Sequence, residues 1–349
     1  MKAYLKKKEL QFITPGQTSR GTLYSKPSWF IILKDENHTG VGECSVIPGL
    51  NPEYQPGYEQ KIQEVIDAVN SGHVPGGKSL ETLPSIRFGL EMAKLDLQHS
   101  PTGILFPSDF TRGKAGIPIN GLIWMGSFDQ MQQRIQEKLD QGFKVLKLKV
   151  GALDFEEEIS LLTNVRSRFP ENELEIRLDA NGAFLPDKAL EKLERLAEFH
   201  IHSIEQPVKT GQTDEMAELC RKSPISIALD EELIGIHSSM EKLKLLEHIR
   251  PRYIILKPSL LGGFEKSEEW IAAANATQTG WWVTSALESN IGLSAIAQWV
   301  YTLQPNKVQG LGTGGVFSNN LPSPVYLRNS TLLFDPAKNV ADSGYWENL

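Results

Sequence analysis

Apolar and polar positions follow one pattern in the first third of the chain and another in the rest. The runs KAYLKKKELQF, GTLYSKPSWFIILKD and HTGVGECSV read as β-strands, separated by the turn-forming stretches PGQ and DENHTG. Two stretches with apolar residues at helical spacing follow, roughly Tyr54 to Ser71 and Leu80 to His99. From about Ile117 the pattern becomes strictly alternating. Eight short apolar runs (IPINGLI, KVLKLKV, LEIRLDA, HSIEQ, ISIALD, YIILK, WWVTSA and VQGLG) are interleaved with helical stretches such as FDQMQQRIQEKLDQ and LPDKALEKLERLAEF.

That order is the order of parallel βα units, and eight is the number that closes a barrel. An open doubly wound sheet is disfavoured, because no GxGxxG follows the first strand. After about Val316 the alternation ends, and the last segment is expected to pack back on the N-terminal part. The expected organisation is an α+β unit over residues 1–115, a barrel over 116–315 and a returning segment over 316–349.

Length and composition fit this division. The 349 residues accommodate a barrel, which runs to roughly 250 residues, and a smaller partner. A net charge of −7 argues against nucleic acid or an anionic membrane as partner. The longest apolar runs, such as WFIIL at Trp29 to Leu33, are too short to span a bilayer, and no apolar stretch follows the basic N-terminus as in a signal peptide. Cys44 and Cys220 lack metal-ligand spacing. The expectation is a cytoplasmic protein with reduced thiols and no membrane or nucleic-acid partner. Its oligomeric state is left open.

Strands of a parallel barrel are buried on both faces, so charges at their C-terminal ends need an explanation, and in barrels that end carries the chemistry. Asp179, Glu205, Asp230 and Lys257 each end a successive strand, separated by 26, 25 and 27 residues (179 to 205, 205 to 230, 230 to 257). Each interval is one βα unit, so the charges gather around one mouth. One acid at a strand end is ordinarily a helix cap. Three in register repel one another in a poorly solvated site, and a divalent cation resolves the conflict. Hard oxygen ligands favour Mg²⁺, with Mn²⁺ as the alternative. Lys147 and Lys149 lie two apart on the second strand and therefore share a face. A metal with lysines on both sides suits abstraction of a weakly acidic proton beside a carboxylate. A metal-binding barrel without catalysis would not need those lysines. Arg177, two residues before Asp179, shares its parity and is a candidate support for the site, against the alternative of an internal ion pair.

The motifs KLKVG, LDANGAF, IEQP, ALDEEL, ILKPSLLGG, SALESNIG and GLGTGG occur in this order over nearly the whole chain. Together they resemble the enolase superfamily, its muconate lactonizing enzyme subgroup and, within that, the o-succinylbenzoate synthase branch of menaquinone biosynthesis. The resemblance implies a (β/α)₇β TIM-like barrel with an α+β N-terminal capping domain. It implies Mg²⁺ on Asp179, Glu205 and Asp230, Lys149 as general base, and Lys257 as the opposite cation that stabilises an enediolate. Lys147 would help neutralise the substrate carboxylate, and Asn181 and Glu231 would support the ligands. Two N-terminal loops, about Ile13 to Ser25 (with Arg20) and Val46 to Tyr54, would close over the substrate.

The rim chooses among the subgroup's reactions. Dipeptide epimerases carry an acidic pair on the eighth strand, and VQGLGTGG has no acid there. Backbone N–H groups around Gly312, Thr313 and Gly314, with Ser285, Ser289 and Asn290 of SALESNIG, suit an anionic substrate. The implied activity is a dehydratase acting on a small anionic carboxylate, with N-acylamino acid racemase or dipeptide epimerase as the alternatives.

Overall fold

The structure, a computed structural model, describes residues 1–18, 21–99, 103–303 and 307–338. The N-terminal part is an antiparallel sheet of β1 (Lys2–Thr18), β2 (Gly21–Lys34) and β3 (Thr39–Ser45), in that order, with helices α1 (Tyr58–Asn70) and α2 (Pro84–His99). Trp29, Ile31, Leu33, Ile62, Ile66 and Leu90 form its core. Helix α2 lies directly on β3. A Cβ on Gly42 would stand 1.8 Å from the Gly89 carbonyl oxygen, so this approach requires glycine.

The stretch PGQ is not the turn that the sequence predicts. β1 runs through it to Thr18, with an irregularity in register between Gln11 and Gly16. A proline has no N–H for the ladder, and the irregular stretch accommodates Pro15 without breaking the strand. The expected loop at Ile13 to Ser25 is therefore, among the described residues, the far end of a hairpin.

The alternating region forms a seven-stranded parallel sheet. In spatial order it comprises β4 (Gly121–Ile123), β5 (Val145–Lys149), β6 (Glu175–Asp179), β7 (Ser203–Glu205), β8 (Ile227–Leu229), β9 (Tyr253–Leu256) and β10 (Gly280–Val283). The helices α3 (Phe128–Asp140), α4 (Phe155–Arg168), α5 (Pro186–Ala197), α6 (Thr213–Lys222), α7 (Ser239–Ile249), α8 (Pro258–Leu261), α9 (Phe264–Ala276) and α10 (Asn290–Thr302) fill the connections. Of these, the one-turn α8 was not legible as a separate element. The expected eighth strand is reduced to two bridges, which link the edges of the sheet: Gly310 pairs in parallel with Thr284, just past β10, and Gln309 with Ile119, just before β4. The result is a mixed α/β fold with a parallel half-barrel sheet.

The expected first barrel strand, IPINGLI, is divided. Its end is β4, while Ile117 and Pro118 pair antiparallel with Leu332 and Thr331 of the hairpin β11 (Val325–Arg328) and β12 (Thr331–Phe334). Before that hairpin, Phe317 bridges Phe12, and the Ser318 N–H donates to the Gln11 carbonyl at 2.9 Å. The returning segment therefore touches both β1 and the start of the alternating region.

Candidate active site

Strand register sets the site. Lys149 pairs with Asp179 across β5 and β6, and Asp179 with Glu205 across β6 and β7. Asp230 follows β8 directly. The three carboxylates are buried, and one oxygen from each lies within 4.8 Å of the others. Glu205 Oε1 has no hydrogen-bond partner among the described residues although it is buried. An orphan carboxylate oxygen beside two further carboxylates is a hard anionic donor set, and it fits a divalent cation.

The lysines meet these acids directly. Lys147 Nζ donates to Glu205 Oε2 and stands 3.0 Å from Asp179 Oδ2. Lys149 Nζ donates to Asp179 Oδ2 at 3.1 Å and to Asn181 Oδ1 at 2.6 Å. Lys257 Nζ donates to Asp230 Oδ2. Burial works against the charged forms, but the lysines outweigh it at Asp179 and hold its carboxyl well below the usual range. At Lys257, burial is likewise outweighed by Asp230 and Glu231, which raise the ammonium. Glu205 goes the other way: burial, aided by Asp179 and Asp230 against Lys147, pushes it up to about 7.

Asn181 and Glu231, the expected supports, are joined, with Asn181 Nδ2 donating to Glu231 Oε1 at 3.0 Å. Asn181 reaches both partners from a left-handed backbone with φ +44. Behind Asp230 stand two residues that the sequence reading missed. Gln206, at φ +39, accepts the Asp230 N–H at 3.2 Å on its Oε1 and donates to Glu232 Oε2 at 3.0 Å. Gln206 belongs to the motif IEQP, so its position beside Glu205 was the available signal.

A cavity of about 270 Å³ opens on Lys147, Lys149, Asp179, Asn181, Glu231 and Lys257. Its rim includes Ser285, Gly312 and Thr313, and the Ser285 and Thr313 hydroxyls bond to each other. Gly21, Thr22, Leu23, Ile47, Pro48 and Leu50 bring both expected N-terminal segments to the cavity. Trp124 and Thr284 line it too and were not foreseen; Thr284 Oγ1 is buried without a partner among the described residues.

Other expected residues lie elsewhere. The Ser289 hydroxyl donates to Glu43 Oε2 at 2.6 Å, and Asn290 Nδ2 donates to the Leu321 carbonyl, so neither faces the cavity. Gly314 packs against Leu293 and Asn290 instead of lining the cavity. Arg177 has the parity of Asp179 but the wrong depth. Two residues along a strand span roughly 6.6 Å, and one layer down Arg177 bonds Glu175 Oε1 at 2.7 Å and the Val308 carbonyl at 3.0 Å. Its guanidinium also lies 4.6 Å from the Trp282 ring centre, across the concave face of the sheet. It forms an internal ion pair with Glu175 and does not bond the acidic cluster. Arg20 lies outside the described residues.

Carboxylates at three strand ends beside lysines form a donor set that could hold a metal, and the kinship of the chain agrees. The family model described as Enolase C-terminal domain-like matches residues 130–323, and the model for the MenC N-terminal domain matches residues 19–97. The chain belongs to the enolase superfamily and, within it, to the o-succinylbenzoate synthase family. A curated o-succinylbenzoate synthase from Desulfotalea psychrophila is 46% identical over 354 residues, covering 93% of this chain and 96% of that one. The crystal structure of MenC from the same organism superposes with a TM-score of 0.81 at 42% identity, covering 95% of this chain and 99% of that one. A dipeptide epimerase from Enterococcus faecalis, complexed with Mg and a dipeptide, shares the fold with a TM-score of 0.79 at 18% identity, covering 95% and 96%. Among the described residues, no helix is long and apolar enough to cross a membrane.

Proposed function

We propose that this chain is an o-succinylbenzoate synthase of menaquinone biosynthesis. It removes water from a succinyl-hydroxycyclohexadiene carboxylate by syn elimination. The observation that carries this reading is the register of Lys149, Asp179 and Glu205 across three strands, at a cavity lined by Lys149, Asp179 and Lys257. The edge bridges at Gln309 and Gly310 support a (β/α)₇β barrel over residues 116–315. The three-stranded sheet and its helices support an α+β capping domain over 1–115, with 316–349 as a returning segment. The net charge of −7 and the absence of a membrane-spanning helix among the described residues accord with a cytoplasmic enzyme.

Asp179, Glu205 and Asp230 would hold Mg²⁺, or Mn²⁺, which supplies Lewis-acid stabilisation of the charge developing on the substrate carboxylate. Lys149 Nζ takes the α proton, with Asn181 Oδ1 orienting it. The electron pair left on carbon moves into the carboxylate as an enediolate. Lys257 suits the opposite face because Asp230 and Glu231 favour its charged form, and a permanent ammonium stabilises charge without competing for the proton. The enediolate then collapses and expels hydroxide. Lys149, now protonated and on the same face, gives it the proton, so water leaves and the ring becomes aromatic.

The test is direct. The purified protein with Mg²⁺ and the cyclohexadiene carboxylate is expected to form the aromatic product, followed by ultraviolet absorbance, and Lys149→Ala is expected to remove that turnover. No turnover by the wild type above background sinks the reading. Deuterium exchange at the α carbon of N-succinyl amino acids without dehydration would assign the site to racemisation instead.

A further inference from the structure

A buried polar network outside the reacting groups joins the N-terminal sheet to the cavity wall. Lys26 on β2 is fully buried, and its ammonium has three acceptors: Ser28 Oγ at 3.1 Å, Ser45 Oγ at 2.6 Å and the Leu287 carbonyl at 2.9 Å. An ammonium has three N–H donors, so this set satisfies it completely. The first two acceptors lie on the same sheet as Lys26. The third lies 261 positions along the chain, in the segment that follows β10.

That segment is the wall of the cavity, since Ser285, Ala286 and Leu287 all line it. Leu287 stands at φ +62, a left-handed conformation that a residue with a Cβ adopts only when its surroundings impose it. The flanking groups are fixed as well. The Ala286 N–H donates to Glu288 Oε2 at 2.8 Å, and Glu43 on β3 accepts the Ser289 N–H at 2.9 Å and the Gly292 N–H at 3.0 Å. Glu43 and Lys26 are tied through Ser28, whose hydroxyl donates to Glu43 Oε1 at 2.8 Å. The N-terminal sheet thus grips the turn at both ends, with a cation on the Leu287 carbonyl and an anion on the N–H groups opening α10.

We propose that Lys26 is a positioning residue for the substrate: by holding the Leu287 carbonyl it keeps the wall Ser285–Leu287 in its strained, cavity-forming shape. The proposal rests on the reading of this cavity as the substrate site. It makes substrate affinity depend on a residue that does not line the cavity, whereas among the described residues Asp179, Glu205 and Asp230 share no hydrogen bond with the network.

Lys26→Met keeps most of the unbranched side chain, one atom shorter, and removes its donors. In the dehydration assay it is expected to raise KM at least tenfold, with Mg²⁺ affinity by calorimetry within twofold of wild type. Amide hydrogen exchange over residues 285–289 is expected to quicken at least tenfold, while that over 176–182 stays unchanged. Glycine needs no anchor to sit at φ +62, so in a Leu287→Gly background the same Lys26→Met change is expected to raise KM no more than twofold. An equal factor in both backgrounds, or an unchanged KM in folded Lys26→Met, overturns the proposal, because a general packing role would act additively. Ser45→Ala removes one acceptor of the ammonium and carries the same comparison, at about threefold, if Lys26→Met does not fold. If the wild type shows no turnover, the functional reading fails separately. Exchange over 285–289 needs no substrate, and unchanged exchange in the variants still overturns the proposal.

Discussion

The ammonium of Lys149 donates to the side-chain oxygen of Asn181 at 2.6 Å, and this contact couples the proposed base to the second ring of the site. Replacing Asn181 by Asp keeps the shape and tolerates the left-handed backbone, but it places a negative charge on Lys149. A neighbouring anion favours the protonated amine, while the base must be neutral to act. In Asn181→Asp the rising limb of kcat/KM against pH is therefore expected to move up by about one unit or more, and turnover at pH 7 to fall roughly tenfold. A limb that stays in place would separate Asn181 from the base.

The orphan oxygen of Glu205 gives a metal test that needs no substrate. Mg²⁺ at a hundred times its Kd is expected to stabilise the wild type by about 2.7 kcal/mol, read as a rise in Tm. Glu205→Gln removes the anionic ligand and is expected to abolish most of that rise. Chelation by EDTA should stop turnover, and Mg²⁺ should restore it. An undiminished Tm shift in Glu205→Gln would show that the cation binds elsewhere.

Arg177 should behave as a structural residue despite its spacing from Asp179. Its bonds to Glu175 and the Val308 carbonyl are lost in Arg177→Met, at a cost to stability of about 2–3 kcal/mol. KM, and Mg²⁺ affinity by calorimetry, are expected to stay within twofold of wild type. A large change in Mg²⁺ affinity would place it back in the site.

Stability should also carry a pH signature away from the cavity. Glu91 on α2 accepts the Phe264 N–H at 2.7 Å and the Glu265 N–H at 3.1 Å, and burial raises its carboxyl from 4.5 to about 7. A folded pKa above the unfolded one means that the folded state holds the proton more tightly. That stabilisation is complete below about pH 4.5 and is lost as pH rises through about 7. The difference is worth roughly 3 kcal/mol. Urea unfolding of wild type and Glu91→Gln at pH 4 and pH 8 should show the wild type losing this much more than the variant. Parallel losses in both would assign the dependence to other groups such as Asp96.

The acidic cluster was legible because a strand end repeats once per βα unit, and a charge there breaks an apolar pattern that burial otherwise enforces. Parity along β5 likewise gave Lys147 and Lys149 together. Parity says nothing of depth, which is why Arg177 was misplaced: only the curl of the sheet brings it onto Trp282. Ser289 and Asn290 were drawn to the rim by their place at a helix start, yet Glu43 and Leu321, far away in sequence, take up their polar groups. Gln206 was hidden for a related reason. Its role depends on a left-handed backbone that turns the side chain beneath Asp230, and no spacing rule anticipates that turn. The N-terminal hairpin was lengthened by an irregularity in pairing that absorbs Pro15.

Each carboxylate of the cluster stands at the end of a different strand, and the set is complete only at Asp230. During synthesis, a chain that stops before this residue owns at most two of the three carboxylates, and Lys257 comes later still. The acidic cluster is therefore assembled from separate βα units, while Lys257, the last two strands of the sheet and the edge bridges at Gln309 and Gly310 come only after it.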